Sequence, residues 1–178
     1  MTLPQWHEEP IAKSHNRKGF DCGQPDLNAF LARHARQAHV SGASKTYVAV
    51  DDADGVTVYG FYTLSPTQIE FALAPAETRP VGGGQHPLGG FRLGRLAVSQ
   101  ALQGYGLGGQ LLVAAVRRCI LVSAQVGGTL LVIDAKDQRA AAWYKAYGAL
   151  EIPKLPLSLV LPYSVVLKAL QCSNPSER

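Results

Sequence analysis

Apolar side chains recur every three or four residues along three stretches of the chain, and this spacing predicts helices. The stretches cover residues 26–40, 107–122 and 137–147. One stripe of the second helix consists of Leu107, Leu111, Ala115, Cys119 and Val122. The third helix is expected to end at Gly148, because glycine commonly follows the last turn of a helix.

Runs of β-branched and aromatic residues predict strands between these helices. Residues 47–50 and 56–64 flank a turn-rich segment and are expected to form an antiparallel hairpin. Residues 91–98 and 129–133 flank the second helix, so we expect a right-handed βαβ unit with parallel strands. Two further short strands are predicted at 68–73 and 163–167. The pattern predicts an α+β or α/β fold with a mixed sheet.

The composition is that of a folded domain. The chain has 178 residues, of which 47% are apolar and 17% are charged, and this length suits one domain over residues 1–178. The glycine- and proline-rich segment 80–90 is expected to be a flexible loop within that domain. The apolar runs at 111–116 and 155–167 are too short or too interrupted to cross a hydrocarbon core of ~30 Å, so no membrane span is expected.

Signals for export, disulfide pairing and metal binding are weak. The N-terminus has no basic segment followed by an apolar one, so no secretory signal is expected. Cys22, Cys119 and Cys172 are widely spaced, which fits a reducing cytoplasm. His34 and His39 lie five residues apart rather than on one helix face, so we expect no metal site.

The positive charge of the chain is concentrated near its beginning. The formal net charge is +4, and residues 11–46 contain six Lys or Arg against two Asp, while the remainder is balanced. Such a segment suits an anionic partner. It suits an ordinary solvated basic helix equally well, so charge alone does not decide between the two.

A glycine-rich turn separates the predicted strand 91–98 from the predicted helix that starts at 107. Four glycines fall within residues 104–109. Glycines allow several backbone N–H groups to converge, and the helix that follows adds unpaired N–H groups and the positive end of its dipole. The segment therefore predicts a diphosphate site, with a tight turn that binds no ligand as the alternative.

Three phosphate-binding patterns compete for this turn. The P-loop is excluded, because no G-K-[ST] begins the helix. The dinucleotide pattern G-x-G-x-x-G is present at Gly104, Gly106 and Gly109, but too few βα units follow it for a dinucleotide fold. A non-catalytic dinucleotide-binding module stays as an alternative. The third pattern, Q/R-x-x-G-x-G/A, is matched by Gln103, Gly106 and Gly108.

This third pattern resembles the acetyl-CoA loop of the GNAT N-acetyltransferases, over about residues 20–168. Five segments are similar to one branch of that family, namely 20–23, 62–65, 93–98, 103–108 and 134–137. The branch is the toxins of bacterial type II toxin–antitoxin systems, which acetylate the amino group of aminoacyl-tRNA and block translation. The resemblance implies the GNAT fold, acetyl-CoA as donor, a ribbon-helix-helix antitoxin, a homodimer and a cytoplasmic location. A metabolic or antibiotic acetyltransferase acting on a small amine is the alternative.

The resemblance also implies roles for individual residues. The end of the strand would pair with the pantetheine arm, and the glycine turn would hold the diphosphate. Tyr144 would donate a proton to the leaving thiolate, and Tyr147 is a second hydroxyl on roughly the same helical side. The implied cofactor-binding residues are Leu96, Ala97, Val98, Gln103, Gly104, Tyr105, Gly106, Leu107, Gly108, Gly109 and Asp137.

The strand 91–99 contains no carboxylate, whereas many GNAT enzymes carry a carboxylate base there. A lysine ε-amine, with a pKa of about 10.4, is almost fully protonated at pH 7 and needs such a base. An α-amine, with a pKa of about 7.7–8.0, is already ~10% unprotonated. The missing carboxylate therefore favours an α-amine acceptor, which agrees with aminoacyl-tRNA.

Basic side chains are candidates for contact with tRNA phosphates. Arg33 and Arg36 lie off the apolar stripe of the first predicted helix, and further candidates are Lys45, Arg92 and Arg95. An acidic segment of an antitoxin is an alternative partner for the same charges.

Overall fold

The computed structural model describes residues 2–82 and 84–172, and over these residues it contains seven strands and five α-helices. The strands are β1 (Trp6–Pro10), β2 (Lys45–Asp51), β3 (Val58–Ile69), β4 (Leu88–Val98), β5 (Leu130–Asp134), β6 (Leu150–Ile152) and β7 (Leu155–Pro162). The helices are α1 (Pro25–Arg33), α2 (Ala35–Ser41), α3 (Leu107–Val126), α4 (Gln138–Ala146) and α5 (Tyr163–Cys172). The strands form a mixed sheet in the order β1-β2-β3-β4-β5-β7-β6, which confirms the predicted class.

Close contacts divide the chain into two compact units. The first comprises Met1–Ser65 with Gly94–Ala115, and the second comprises Pro66–Leu93 with Val116–Arg178. The expectation of a single domain stays a prediction.

In the first unit, β1, β2 and β3 are antiparallel. β2 and β3 form the predicted hairpin, with a bulge between Ala49 and Val50. β1 pairs with β2 along its whole length, from Trp6 opposite Asp51 to Pro10 opposite Tyr47. The sequence pattern missed β1, because charged residues and a proline follow its tryptophan. An aromatic cluster packs beneath the strands, with the Phe61 ring 5.5 Å from Phe20 and 6.2 Å from Phe30 between centroids.

The helix predicted over 26–40 is wrong in one respect, because the structure breaks it into α1 and α2 at His34. The backbone of His34 has φ −116° and ψ −32°. The Ala32 carbonyl, which an unbroken helix would use for the Arg36 amide, accepts a hydrogen bond from Arg17 Nη1 at 3.1 Å. This bond comes from outside the helix, so local periodicity could not indicate it.

In the second unit, β4 and β5 are parallel, from Gly90 opposite Leu130 to Leu93 opposite Ile133. This arrangement confirms the predicted parallel pair, and α3 connects the two strands. β7 lies antiparallel to β5 on its other side, and β6 pairs with β7 at the edge. The turn between β6 and β7 places Lys154 at φ +67°.

Two predicted strands are wrong. Residues 163–167 begin α5 rather than a strand, because β7 already ends at Pro162. Tyr163 and Val166 lie three residues apart and are both buried, as expected for one face of a helix. Residues 68–73 form no separate strand, since β3 continues to Ile69 and the chain then turns.

α3 is the core helix of this fold. Its predicted stripe is buried at Leu107, Leu111, Ala115 and Cys119, while Val122 is 41% exposed. By length and composition alone, α3 is the one described helix that could cross a membrane. A buried core helix meets the same criterion, so this finding is weak evidence for a span.

Candidate active site

The glycine turn lies between the end of β4 and the start of α3, after a short 3-10 helix at Gln100–Leu102. Gly104 and Gly106 adopt φ values of +85° and +88°, a region that residues with a side chain rarely occupy. Apart from its chain neighbours, no atom of the described residues lies within 4 Å of the position that a Cβ would take at either glycine. The glycines are therefore required by backbone conformation, and the space above them is open.

The first turn of α3 supplies donors beside this open space. The Gln110 amide donates the first helical bond, to the Gly106 carbonyl at 3.2 Å. The amides of Leu107, Gly108 and Gly109 come before this donor and so have no acceptor within the helix. Residues 99–110 contain no carboxylate. Converging amides, a helix dipole and the absence of acidic groups fit the diphosphate of acetyl-CoA.

The side chain of Gln103 holds the turn rather than pointing to open solvent. Its Nε2 donates to the Val98 carbonyl at 2.9 Å and to the Cys22 carbonyl at 3.0 Å. The predicted contact of Gln103 with the cofactor stays a prediction, and the structure adds a role in fixing the turn.

The end of β4 extends past its pairing with β5. The last parallel pair is Leu93 with Ile133, and β4 continues to Val98. Leu96 is half-buried, while Ala97 and Val98 are 6% and 9% exposed. The backbone N–H and C=O groups of β4 after Leu93 are the groups with which the pantetheine arm is expected to form hydrogen bonds.

Tyr144 lies on α4 and is 8% exposed, with its ring 4.9 Å from that of Trp143 in an edge-on contact. Burial raises the pKa of its hydroxyl to about 12, so the group is protonated at neutral pH. Tyr147 is 39% exposed, and its ring centroid lies 4.8 Å from that of Trp143. The two hydroxyls therefore lie in different environments.

Capping fixes both ends of α4. The Asp137 carboxylate accepts from the Ala140 amide at 2.8 Å, which is an N-cap. At the other end Gly148 has φ +96°, its amide donates to Lys145, and the next amide donates to the Tyr144 carbonyl. Gly148 thus terminates the helix as predicted. One oxygen of Asp137 is occupied by the cap, and its predicted contact with pantetheine stays a prediction.

Arg33 and Arg36 line a cavity of about 490 Å³ on the first unit. The other lining residues are Arg17, Ala32, Gln37, Val40 and Ser41. Arg17 was missed as a site residue, although it belongs to the basic segment 11–46. Three guanidinium groups around one cavity favour an anionic ligand.

The other basic candidates are held by neighbouring groups. Lys45 Nζ donates to the His39 carbonyl at 2.8 Å. Arg92 forms an ion pair with Asp134. Arg95 lies over the Phe30 ring, 3.7 Å from its centroid, and desolvation lowers its pKa. Among these five basic residues, Arg33 and Arg36 are the pair that share a cavity.

Two relatives match most of the chain, while no family model matches it. A probable toxin TacT from Sinorhizobium fredii is 30% identical over 169 residues, which cover 89% of this chain and 91% of the relative. A tRNA-acetylating toxin from Mycobacterium tuberculosis is 32% identical over 151 residues, covering 85% and 88%. The chain belongs to the tRNA-acetylating toxin family. The predicted toxin branch is thereby confirmed.

Solved structures of this family share the fold. AtaT complexed with acetyl-methionyl-tRNAfMet superposes with a TM-score of 0.86 at 25% identity, covering 93% of this chain and 99% of AtaT. AtaT has also been solved with acetyl-CoA and with the C-terminus of its antitoxin AtaR. These last structures are under 25% identical, so likeness to them shows the fold alone. The GNAT fold predicted from the glycine turn is confirmed.

Proposed function

We propose that this protein transfers the acetyl group of acetyl-CoA to the amino group of an aminoacyl-tRNA and so blocks translation. The carrying observation is the glycine turn, whose open face and first-turn amides on α3 fit a diphosphate, in a chain of the tRNA-acetylating toxin family. Bound acetyl-CoA supplies the acetyl group as a thioester. The backbone of Gly104–Gly109 binds its diphosphate, and the end of β4 at Leu96–Val98 pairs with its pantetheine arm.

Tyr144 is the proposed proton donor to the departing thiolate. Burial keeps its hydroxyl protonated well above neutral pH. An ordinary thiol has a pKa of about 8.5, so the hydroxyl is the weaker acid and shares its proton with the sulfur late, as the carbon–sulfur bond breaks.

The acceptor is proposed to be an α-amine. β4 presents no carboxylate that could deprotonate a lysine side chain. An α-amine needs no such base at neutral pH, because a useful fraction is already unprotonated. Arg33 and Arg36 are proposed to contact phosphates of the tRNA, while Arg17 donates to the Ala32 carbonyl beside them. Lys45, Arg92 and Arg95 are weaker candidates, because each already has a partner in the structure.

We also propose that the protein is held inactive by an antitoxin of the ribbon-helix-helix type. Support comes from AtaT, which has been solved with the C-terminus of AtaR, and from the need to silence a translation-blocking enzyme in its own cell. We further propose that the protein is a homodimer. Its proposed location is the cytoplasm, where charged tRNA and acetyl-CoA occur together. Co-purification of an antitoxin with this chain from its native host tests the first proposal. Light scattering of the purified chain tests the homodimer.

The function is tested by ligand binding and by product analysis. Acetyl-CoA at 100 times its dissociation constant should stabilise the fold by ~2.7 kcal/mol, while NAD should leave the melting temperature unchanged. Mass spectrometry should then find acetyl groups on the amine of charged tRNA and not on free amino acids or small amines. Stabilisation by NAD alone would refute the acetyltransferase assignment. Acetylation of small amines but not of charged tRNA would instead assign a metabolic enzyme.

A further inference from the structure

A hydrogen-bonded cluster joins the segment before α1 to the start of the glycine turn. The Gln100 amide donates to the Asp21 carbonyl at 2.9 Å, and its side-chain Nε2 donates to Asp21 Oδ2 at 2.8 Å. Gln103 Nε2 donates to the Cys22 carbonyl at 3.0 Å. Both ends of the short helix that leads into the turn are thus tied to two consecutive residues.

The Asp21 carboxylate is itself fixed from two further sides. Its Oδ1 accepts from the Gly23 amide and from Asn28 Nδ2 on α1, both at 2.8 Å. Gly23 has φ +79°, and a Cβ there would lie 3.2 Å from Gln100 Cδ, so glycine permits the close approach. The Gly23 bond, with those from Asn28 and Gln100, lowers the pKa of Asp21. The carboxylate is therefore ionised at neutral pH and accepts three hydrogen bonds.

The turn needs such an anchor on its upstream side. Its downstream side is fixed by Leu107, which is fully buried at the start of α3. On the upstream side Leu102 is buried, but the residues on either side of it, at 101 and 103–106, are exposed. The Asp21 cluster, together with the bond from Gln103 to the Val98 carbonyl, holds this exposed stretch in place. Donors that are fixed before the ligand arrives bind it more tightly than donors that must be ordered on binding.

We propose that Asp21 is a positioning residue for the diphosphate of acetyl-CoA. Its carboxylate holds Gln100 and, through the same segment, Gln103, so that the amides of the glycine turn keep their binding geometry. Asp21 does not touch the cofactor in this account. The inference rests on the proposed function, because it takes acetyl-CoA as the ligand of the turn.

The test is Gln100→Glu, which removes the Nε2 donor and places a second carboxylate against Asp21 Oδ2, so that no rotation of the side chain can restore the hydrogen bond. By calorimetry, the dissociation constant for CoA should rise about tenfold, as expected for one hydrogen bond to a charged group. The KM for acetyl-CoA should rise equally, with kcat and the KM for aminoacyl-tRNA within about twofold of wild type. The hydrogen-bonded amides of residues 100, 102 and 103 should exchange faster in the free protein.

Asp54→Asn is a control at a loop carboxylate outside the glycine turn. Asp54 also accepts loop hydrogen bonds, from the amides of Val56 and Thr57 and from the Thr57 hydroxyl, but it lies in the β2–β3 turn. Its replacement should lower the melting temperature without changing CoA affinity. An equal loss of CoA affinity in both variants would overturn the proposal.

A second variant restores the hydrogen-bond pattern with the partners exchanged. In Asp21→Asn combined with Gln100→Glu, the new amide donates to the new carboxylate, while Oδ1 still accepts from Gly23 and Asn28. CoA affinity should return to within about threefold of wild type. Should the single variant fail to fold, Gln100→Ala at its exposed position removes the same bond. Unchanged affinity in the single variants, or no recovery in the double variant, would refute the role of Asp21. Wild-type protein that binds no acetyl-CoA would refute the proposed function instead.

Discussion

Tyr144→Phe should reduce acetyl transfer by about 100-fold while leaving acetyl-CoA binding intact. The substitution removes one hydroxyl and keeps the ring, which is 8% exposed and packs edge-on against Trp143. The melting temperature should therefore change little. The loss corresponds to about 2.7 kcal/mol of transition-state stabilisation.

The size of this effect follows from the acidity of the hydroxyl. General acids contribute typically ~10²–10⁴-fold, and most when their pKa is near the working pH. The pKa of Tyr144 is raised to about 12, well above an ordinary thiol at about 8.5. A donor this weak transfers its proton late, which favours the lower end of that range. It also stays protonated through pH 9, so the rate should rise with pH as the amine acceptor loses its proton and should not fall again below pH 9.

The assay is single-turnover acetylation of charged tRNA between pH 6 and 9, with growth inhibition on expression as a second readout. Tyr144→Phe should lower the whole profile without changing its shape. Tyr147→Phe is the control, because Tyr147 is 39% exposed, and it should stay within about twofold of wild type. Full activity of Tyr144→Phe, or a falling limb between pH 7 and 9 that this variant abolishes, would refute the reasoning.

Three further predictions concern binding and stability. Replacing Arg33 and Arg36 by Ala should lower the magnitude of the salt slope of charged-tRNA binding by about 1–2, since each phosphate contact contributes roughly 0.7–0.9. Gly106→Ala should weaken acetyl-CoA binding in calorimetry, because the turn holds φ +88° there. Burial and the Lys45 charge lower the pKa of His39, so protonation favours the unfolded chain, and stability should fall as pH drops through about 6.5. His39→Gln should reduce that fall in thermal melts between pH 7.5 and 5.5.

Two of these predictions have a control variant. Arg117→Ala with Lys168→Ala removes the same charge from exposed positions on α3 and α5, and it should leave the salt slope unchanged. Gly42→Ala imposes the same strain at φ +80° after α2, and it should lower stability without affecting acetyl-CoA. Equal salt slopes for wild type and the Arg33/Arg36 variant would show that these arginines do not contact tRNA phosphates. Unchanged acetyl-CoA affinity in Gly106→Ala would contradict the role of the turn, and an unchanged pH dependence in His39→Gln would contradict the assignment to His39.

Local patterns predicted the parts of the fold that local forces determine. α3 and the parallel pair β4–β5 were predictable because a long helical period lies between two apolar runs. The glycine turn was predictable because positive φ values require glycine. The residues after Pro162 have the composition of a strand, but they form α5. This helix packs on β7, and a local pattern cannot indicate such a tertiary contact.

Other features depend on atoms distant in sequence and could not be predicted. The break at His34 reflects a hydrogen bond from Arg17 to Ala32. The anchoring of Gln103 depends on a carbonyl 81 residues earlier in the chain. Such bonds leave no periodic signal, which is why the sequence indicated the glycine turn but not what holds it.

The sheet order has a consequence for how the enzyme is made. β7 lies between β5 and β6, and α4 packs against β7. The helix that carries Tyr144 is therefore synthesised before the strand that supports it. A chain cut short before residue 155 lacks that strand, and α4 has nothing to replace its contacts with β7. A protein proposed to block translation thus places its proposed proton donor only when its own synthesis is nearly finished, and unfinished chains should be harmless to the cell.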